Sequence, residues 1–241
     1  MNSPFTNPKR TSTTFASVLA GLLIVLLAAI APVAQQLQKG VSVQLAPTTH
    51  AQPMPAADLS NAWIVAVTAD GNFFFGTESV TRDNLAEEMI RKPRNRDQNL
   101  YIKADARAPY GDLKYVLKAA RAASFPSPVL LTAQPKSPEP AAVEPPNGLP
   151  VEIGSGSVSG PRQTILEILK SNQEMPLLRV NGKEVAWQNL SNRLEQIFLN
   201  QTERQVSVRA DSSLPFEQVV RAIDGCEATG ANVLLAAPET L

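Results

Sequence analysis

Asp105 and Asp211 stand at the same place in a stretch that the chain carries twice. Residues 101–123 read YIKADARAPYGDLKYVLKAARAA, and residues 207–229 read SVRADSSLPFEQVVRAIDGCEAT. In each copy an alternating apolar run ends in a basic residue, Lys103 or Arg209, followed by Ala-Asp. Then come Pro109-Tyr110 or Pro215-Phe216 and an apolar helical stripe, all at one constant offset. A gap-free match of this length reads as an internal duplication. As a catalytic pair the two carboxylates would have to be brought together by the two repeats. An Asp that ends a strand before a turn ordinarily stabilises the turn by accepting backbone N–H groups, and both are read that way. Tyr110 and Phe216, at helix starts, are read as core, and Lys103 and Arg209 as solvated strand residues.

Little else in the chain has the residue types for catalysis. Among 241 residues there is one histidine, His50, and one cysteine, Cys226. His50 lies among Thr, Gln and Pro and is read as a solvated linker residue. An enzyme needing an acid–base imidazole has no other to use. A lone cysteine forms no intrachain disulfide and no cysteine-based metal site. Formal net charge is zero, so composition offers no electrostatic case for nucleic acid. The reading is of a non-enzyme without cofactor or metal.

Several elements must position the repeated stretch. In the first repeat, WIVAVTADGNFFFG sets strands at 63–68 and 72–76 around Asp70-Gly71, a strong hairpin dipeptide. A helix follows with Leu85, Met89 and Ile90 on one face, ended by Pro93. Then come a strand at 100–103, a helix from Pro109 with Tyr110, Leu113, Val116, Leu117 and Ala120 inward, and a strand at 129–132. Pro suits a first helical turn, where its missing N–H is not needed. The second repeat restates this: strands at 164–170 and 177–185, a helix at 189–198, and a strand at 205–209. Its last helix, from Pro215, turns Phe216, Val219, Val220 and Ile223 inward, and a strand at 233–236 closes it. Each unit is expected to be β-β-α-β-α-β, a two-layer α+β domain with a parallel crossover at its end. A unit of about 70 residues has a thin core, so the two are expected to pack as an intramolecular pseudo-dimer.

Ahead of the repeats, residues 15–34 are almost wholly apolar and residues 11–38 carry no charge. Roughly 20 helical residues cross a hydrocarbon core of about 30 Å. Lys9 and Arg10 favour a cytoplasmic N-terminus, with the rest of the chain exported. A cleaved signal peptide is the alternative, with small residues near Ala34 or Ala51 as cleavage sites. Residues 40–59 are polar and Pro-punctuated, an extended tether in which VSVQL alternates like a short strand. Residues 134–160 are rich in Pro, then Gly and Ser, and read as a linker.

The chain resembles the ExbD/TolR family of biopolymer-transport proteins. The residues that carry the likeness are Ala31-Pro32 at the end of the span, VSVQLAP at 41–47, and Asp70-Gly71. With them go IKAD at 102–105 before Pro109-Tyr110-Gly111, and VRAD at 208–211 before Pro215-Phe216. The expected layout is a cytoplasmic N-terminus (1–13), a transmembrane helix (14–37) and a periplasmic tether (38–60). Repeat 1 (61–133), a linker (134–162) and repeat 2 (163–241) complete it. The resemblance implies a single-pass subunit of a proton-driven inner-membrane complex, with its bulk in the periplasm. It also implies an ExbB/TolQ-like polytopic partner and a TonB- or TolA-like protein that receives the energy.

One departure from the family is sharp. Its members carry an Asp near the start of the span, where a carboxylate is costly unless functional. The matching position here is Val18 or, with one residue of slippage, Ser17, and neither is an acid. The implied role is therefore an accessory one, beside an Asp-bearing paralogue. A membrane-anchored periplasmic module that binds cell wall or a partner protein, without motor function, is the rival reading.

Overall fold

The computed structural model describes residues 41–93, 98–133, 145–154 and 163–236. The expected span, with Ser17 and Val18, lies outside the described residues. Among those described, no helix is long and apolar enough to cross a membrane.

Ahead of repeat 1, the tether holds a two-residue strand β1 (Gln52–Pro53) and a 3-10 turn at Pro55–Asp58. Then come β2 (Trp63–Val67), β3 (Phe73–Phe75), β4 (Glu78–Val80) and α1 (Leu85–Arg91). β5 (Leu100–Ala104), α2 (Tyr110–Ala122) and β6 (Val129–Thr132) follow. Strands β7 (Asn147–Pro150) and β8 (Glu152–Gly154) precede repeat 2. That repeat holds β9 (Thr164–Leu169), β10 (Leu177–Val180), β11 (Lys183–Val185) and α3 (Leu190–Phe198). It ends with β12 (Gln205–Ala210), α4 (Phe216–Glu227) and β13 (Asn232–Ala236). The first sheet has the order β1-β7-β6-β5-β2-β3-β4 and the second β11-β10-β9-β12-β13-β8. In both, the central strands are parallel and the hairpin strands antiparallel.

Each repeat therefore carries one strand more than expected, β-β-β-α-β-α-β. In repeat 2 the extra strand arises because 177–185 is not continuous. Asn181 and Gly182 both have positive φ, 51° and 76°, and close a two-residue hairpin in which Val180 faces Lys183. Positive φ at both central residues is what such a turn requires, and Asn-Gly supplies it at little steric cost. The linker differs more. Residues 147–154 run as β7 antiparallel to β6 in the first sheet, then as β8 parallel to β13 in the second. Leu149 and Val151 are buried in the process. Gly148 is forced by proximity, since a Cβ there would lie 2.5 Å from Val129 Cγ1.

The helical stripes fill one core that runs through both repeats. All five expected positions of α2 and all four of α4 are buried. On α1, Leu85 and Met89 are buried but Ile90 is exposed, because so short a helix turns only one narrow edge inward. A second apolar cluster lies apart from this core and unites sheet residues Tyr101, Val129 and Leu131 with Ala57. Leu45, Met54, Ala62 and Ile64 pack against it, so N-terminal residues add a layer that the two-layer expectation lacked. The stretch 41–45 is not a strand.

One pairing recurs with its roles exchanged. Arg82 sits 4.2 Å from the Tyr115 ring in repeat 1, while in repeat 2 Arg221 sits 5.5 Å from the Trp187 ring. Both are cation–aromatic contacts, reached from opposite ends.

With β7 and β8 threaded through both sheets, the repeats should unfold together. In a Trp187→Phe variant of the full chain in detergent, Trp63 reports repeat 1 and far-UV circular dichroism reports both. Coincident denaturant midpoints are expected, and separated midpoints would refute a joint unit.

Candidate functional site, the seam between the repeats

The two copies of the Ala-Asp-to-aromatic stretch meet. Pro109 and Pro215 form an antiparallel bridge. Around it, Tyr110 donates its amide to Leu214 O and Phe216 donates to Ala108 O, both at 2.8 Å. Gly111 donates to Ser212 O at 2.8 Å and Glu217 to Ala106 O at 2.9 Å. Each bond has its counterpart at the repeat offset, as a two-fold contact demands.

The physical need behind this lies at the helix starts. A helix leaves its first amides without internal acceptors. Neither α2 nor α4 has a side chain capping it, and Pro109 and Pro215 at the caps have no N–H to donate. The first amides of each helix are instead capped by carbonyls of the other repeat. Tyr110 and Phe216, 1% and 0% exposed, seal the seam on its apolar side. Lys114 adds a cross-repeat bond from Nζ to Ala210 O at 3.0 Å and to Ser212 Oγ at 2.9 Å. Partial burial lowers its pKa.

The aspartates each hold their own turn. Asp105 is buried, and its carboxylate accepts Arg107 Nε at 2.8 Å and Nη2 at 3.0 Å. It also accepts the amides of Arg107 at 3.1 Å and Gln44 at 3.0 Å. The Arg107 side chain, helped by those amides and opposed by burial, holds its pKa well below the usual carboxylate range. Asp211 is exposed and accepts the amide of Ser213 at 2.8 Å and its hydroxyl at 2.9 Å, which lower its pKa as well. Both are ionised at neutral pH, and neither is tuned as a general acid. Lys103 is half-buried, and desolvation lowers its pKa. Cys226 is buried and its thiol is pushed up to about 12 by that burial.

A second feature escaped the sequence reading. The tether is not free of the body but lies on it as a strap. Ala106 donates to Gln44 O at 2.7 Å, and Pro47 bridges Ala133. Thr48 Oγ1 donates to Thr132 Oγ1 at 2.8 Å. The strap then reaches repeat 2, where Asp224 accepts the amides of Thr49 at 3.1 Å and His50 at 2.8 Å. His50 Nδ1 stands 3.3 Å from Asp224 Oδ2, so the imidazole read as solvated linker is docked on α4, although still exposed. Backbone amides carry most of this dock, and no local sequence pattern announces it. Among the described residues no group of three or more His, Cys, Asp or Glu is placed to hold a metal.

These features define a class: an α+β unit doubled within one chain, each half capping the other's helix. A family profile described as Biopolymer transport protein ExbD/TolR matches residues 7–136 and again 128–238. The chain belongs to the ExbD/TolR family, with the domain duplicated. Membership implies a subunit of a biopolymer-transport complex that works generally with ExbB/TolQ partners. The family is typically inner-membrane with a periplasmic domain, and it is not enzymatic. No curated protein and no solved structure matches this chain significantly.

Two outcomes test the seam. A Cβ on Gly111 would stand 3.2 Å from both Ser212 Cβ and the Ser212 carbonyl oxygen. Gly111→Val is therefore expected to lower stability by about 1–3 kcal/mol in denaturant titrations, through overpacking at the seam. Asp105 has a depressed folded pKa, so its stabilisation is present above the unfolded value of about 3.9 and is lost as pH falls through the folded pKa. Asp105→Ala should lose on the order of 2 kcal/mol at pH 7 and flatten the acid loss of stability below about pH 4. An unchanged acid limb would assign that loss to other carboxylates.

Proposed function

We propose that this chain is an accessory, partner-dependent ExbD/TolR subunit that lacks the proton-carrying group itself. It sits in the inner membrane by one span at 14–37, with a cytoplasmic N-terminus and both repeats in the periplasm. It works with an ExbB/TolQ-like polytopic protein, beside an Asp-bearing paralogue, and serves a TonB- or TolA-like protein.

One observation carries the reading: residues 11–38 contain no Asp or Glu, and the position expected of the family's acid is Ser17 or Val18. A serine hydroxyl relays a hydrogen bond but does not ionise near neutral pH. A valine does neither. Without a titrating carboxylate in the span, coupling of ion flow to movement falls to another chain. The two repeated aspartates are structural in their bonding, Asp105 to its turn and the strap and Asp211 to its turn.

Affinity purification from membranes is expected to bring down a polytopic partner together with a second, acid-bearing family member. Proton flux through the purified complex should be unchanged when Ser17 or Val18 is replaced by Ala. Introducing the acid, Ser17→Asp or Val18→Asp, should create a partner-dependent proton leak. A chain that purifies alone with cell-wall binding intact would move the reading to an anchored binding module. Proton flux in a complex whose only family member is this chain would overturn the accessory role.

A further inference from the structure

We propose that the strap of residues 44–53 is a latch, closed by Asp224 of repeat 2, that undocks while the doubled body stays folded. It rests on the described part of the chain and holds whether or not the span carries protons.

The first argument is the siting of the acids. Asp224 and Glu227 lie in the last turn of α4, where no basic residue is present. The C-terminal end of a helix carries partial negative charge, so acids there are unfavourable unless something positive or donating meets them. The strap supplies those groups: the amides of Thr49 and His50 and the His50 ring to Asp224, and Gln52 Nε2 to Glu227 at 3.2 Å. Burial raises the pKa of Glu227, which the Gln52 bond opposes.

The second argument is the comparison between the repeats. At the offset that pairs Tyr110 with Phe216, Asp224 corresponds to Lys118 and Glu227 to Arg121. Repeat 1 thus has the charges that suit a helix end, and repeat 2 has them reversed where the strap lands. A lysine cannot accept an amide. The reversal belongs to docking rather than to the fold of the repeat.

The third is the manner of attachment. At its far end the strap is held by Asp105 of repeat 1, so it crosses from one repeat to the other. Its bonds to Asp224 and Glu227 are exposed, and the side chains it buries are small, Ala46, Thr48 and Ala51. Exposed backbone bonds with little apolar burial mark segments that open below the global unfolding limit. Freed, ten residues of extended chain add on the order of 30 Å of reach between the body and whatever precedes the strap.

Hydrogen exchange followed by mass spectrometry on the full chain in nanodiscs tests this. Asp224→Lys, which installs the residue repeat 1 carries, should accelerate exchange in peptides covering residues 44–53 by about tenfold or more. Peptides covering β5, β12 and α2 should be unchanged. Lys118→Asp, at the matching place in repeat 1, should leave strap exchange as it was. Asp224→Asn keeps an acceptor oxygen without the charge and should give a smaller, still strap-confined acceleration. That variant decides the matter if the lysine variant does not fold. Unchanged strap exchange in both Asp224 variants would overturn the latch. So would acceleration of strap and core strands together, which would make the strap an integral part of the core.

Discussion

The reciprocal capping of two helix starts is the constraint on which the remainder of the protein depends. A repeat of this size buries too little surface to be comfortably stable alone. It also begins its longest helix with a proline at the cap and no side chain to satisfy the amides that follow. The seam meets both needs at once. Four amides, from Tyr110, Gly111, Phe216 and Glu217, find carbonyls across it, and two aromatic side chains are sealed beneath. Each such bond contributes a net free energy on the order of 0.5–1.5 kcal/mol relative to the same amide in water. Separating the repeats would give up all four. The two halves are therefore conditional on one another, and the strand pair 147–154, stitched into both sheets, makes the condition covalent.

Much of the architecture was legible because it is carried by side-chain periodicity. The stripes of α2 and α4, the Asp70-Gly71 hairpin and the constant offset between copies all show in residue types. The missed elements share a reason. β7 and β8 alternate Leu149, Val151 and Ile153, the same pattern as the VSVQL segment. But Pro150 sits inside the run and Pro, Gly and Ser surround it, and proline within a run argues against a strand. Here Pro150 falls where the chain leaves one sheet for the other, at the end of the β6 pairing, so its missing N–H interrupts nothing. The Asn181-Gly182 turn is a signal of the strongest kind. Short flanks, Leu177 to Val180 and Lys183 to Val185, let the whole stretch read as one strand.

The seam and the strap were illegible for a different reason. Both draw largely on backbone amides, which every residue except proline carries alike. Sequence could say that Asp105 ends a strand before a turn; it could not say that the Gln44 amide would share that carboxylate. Nor could it say that Asp224 would meet Thr49 and His50. One sign was available in principle. Aligning the copies exposes acid in place of base at 224 and 227, a local conflict with the helix dipole that only a partner resolves.

Duplication within a chain changes what such a pair can become. A homodimer with a two-fold seam must use every surface twice, so any residue placed to serve one partner appears identically on the other. Here the backbone bonds of the seam keep their symmetry, while the Lys114 bonds, matched by Val220, and the periphery have lost it. Arg82 over Tyr115 has become Trp187 under Arg221, which conserves the contact while exchanging its donors. Asp105 is bridged by Arg107 and closes on the strap, whereas Asp211 closes on Ser213 alone. The strap crosses from repeat 1 to repeat 2, and the matching helix end of repeat 1 carries Lys118 and Arg121, which offer no acceptor. A body that is symmetric in its backbone seam and asymmetric where the strap lies has a polarity between its two repeats. That polarity is what a symmetric pair of separate chains could not encode.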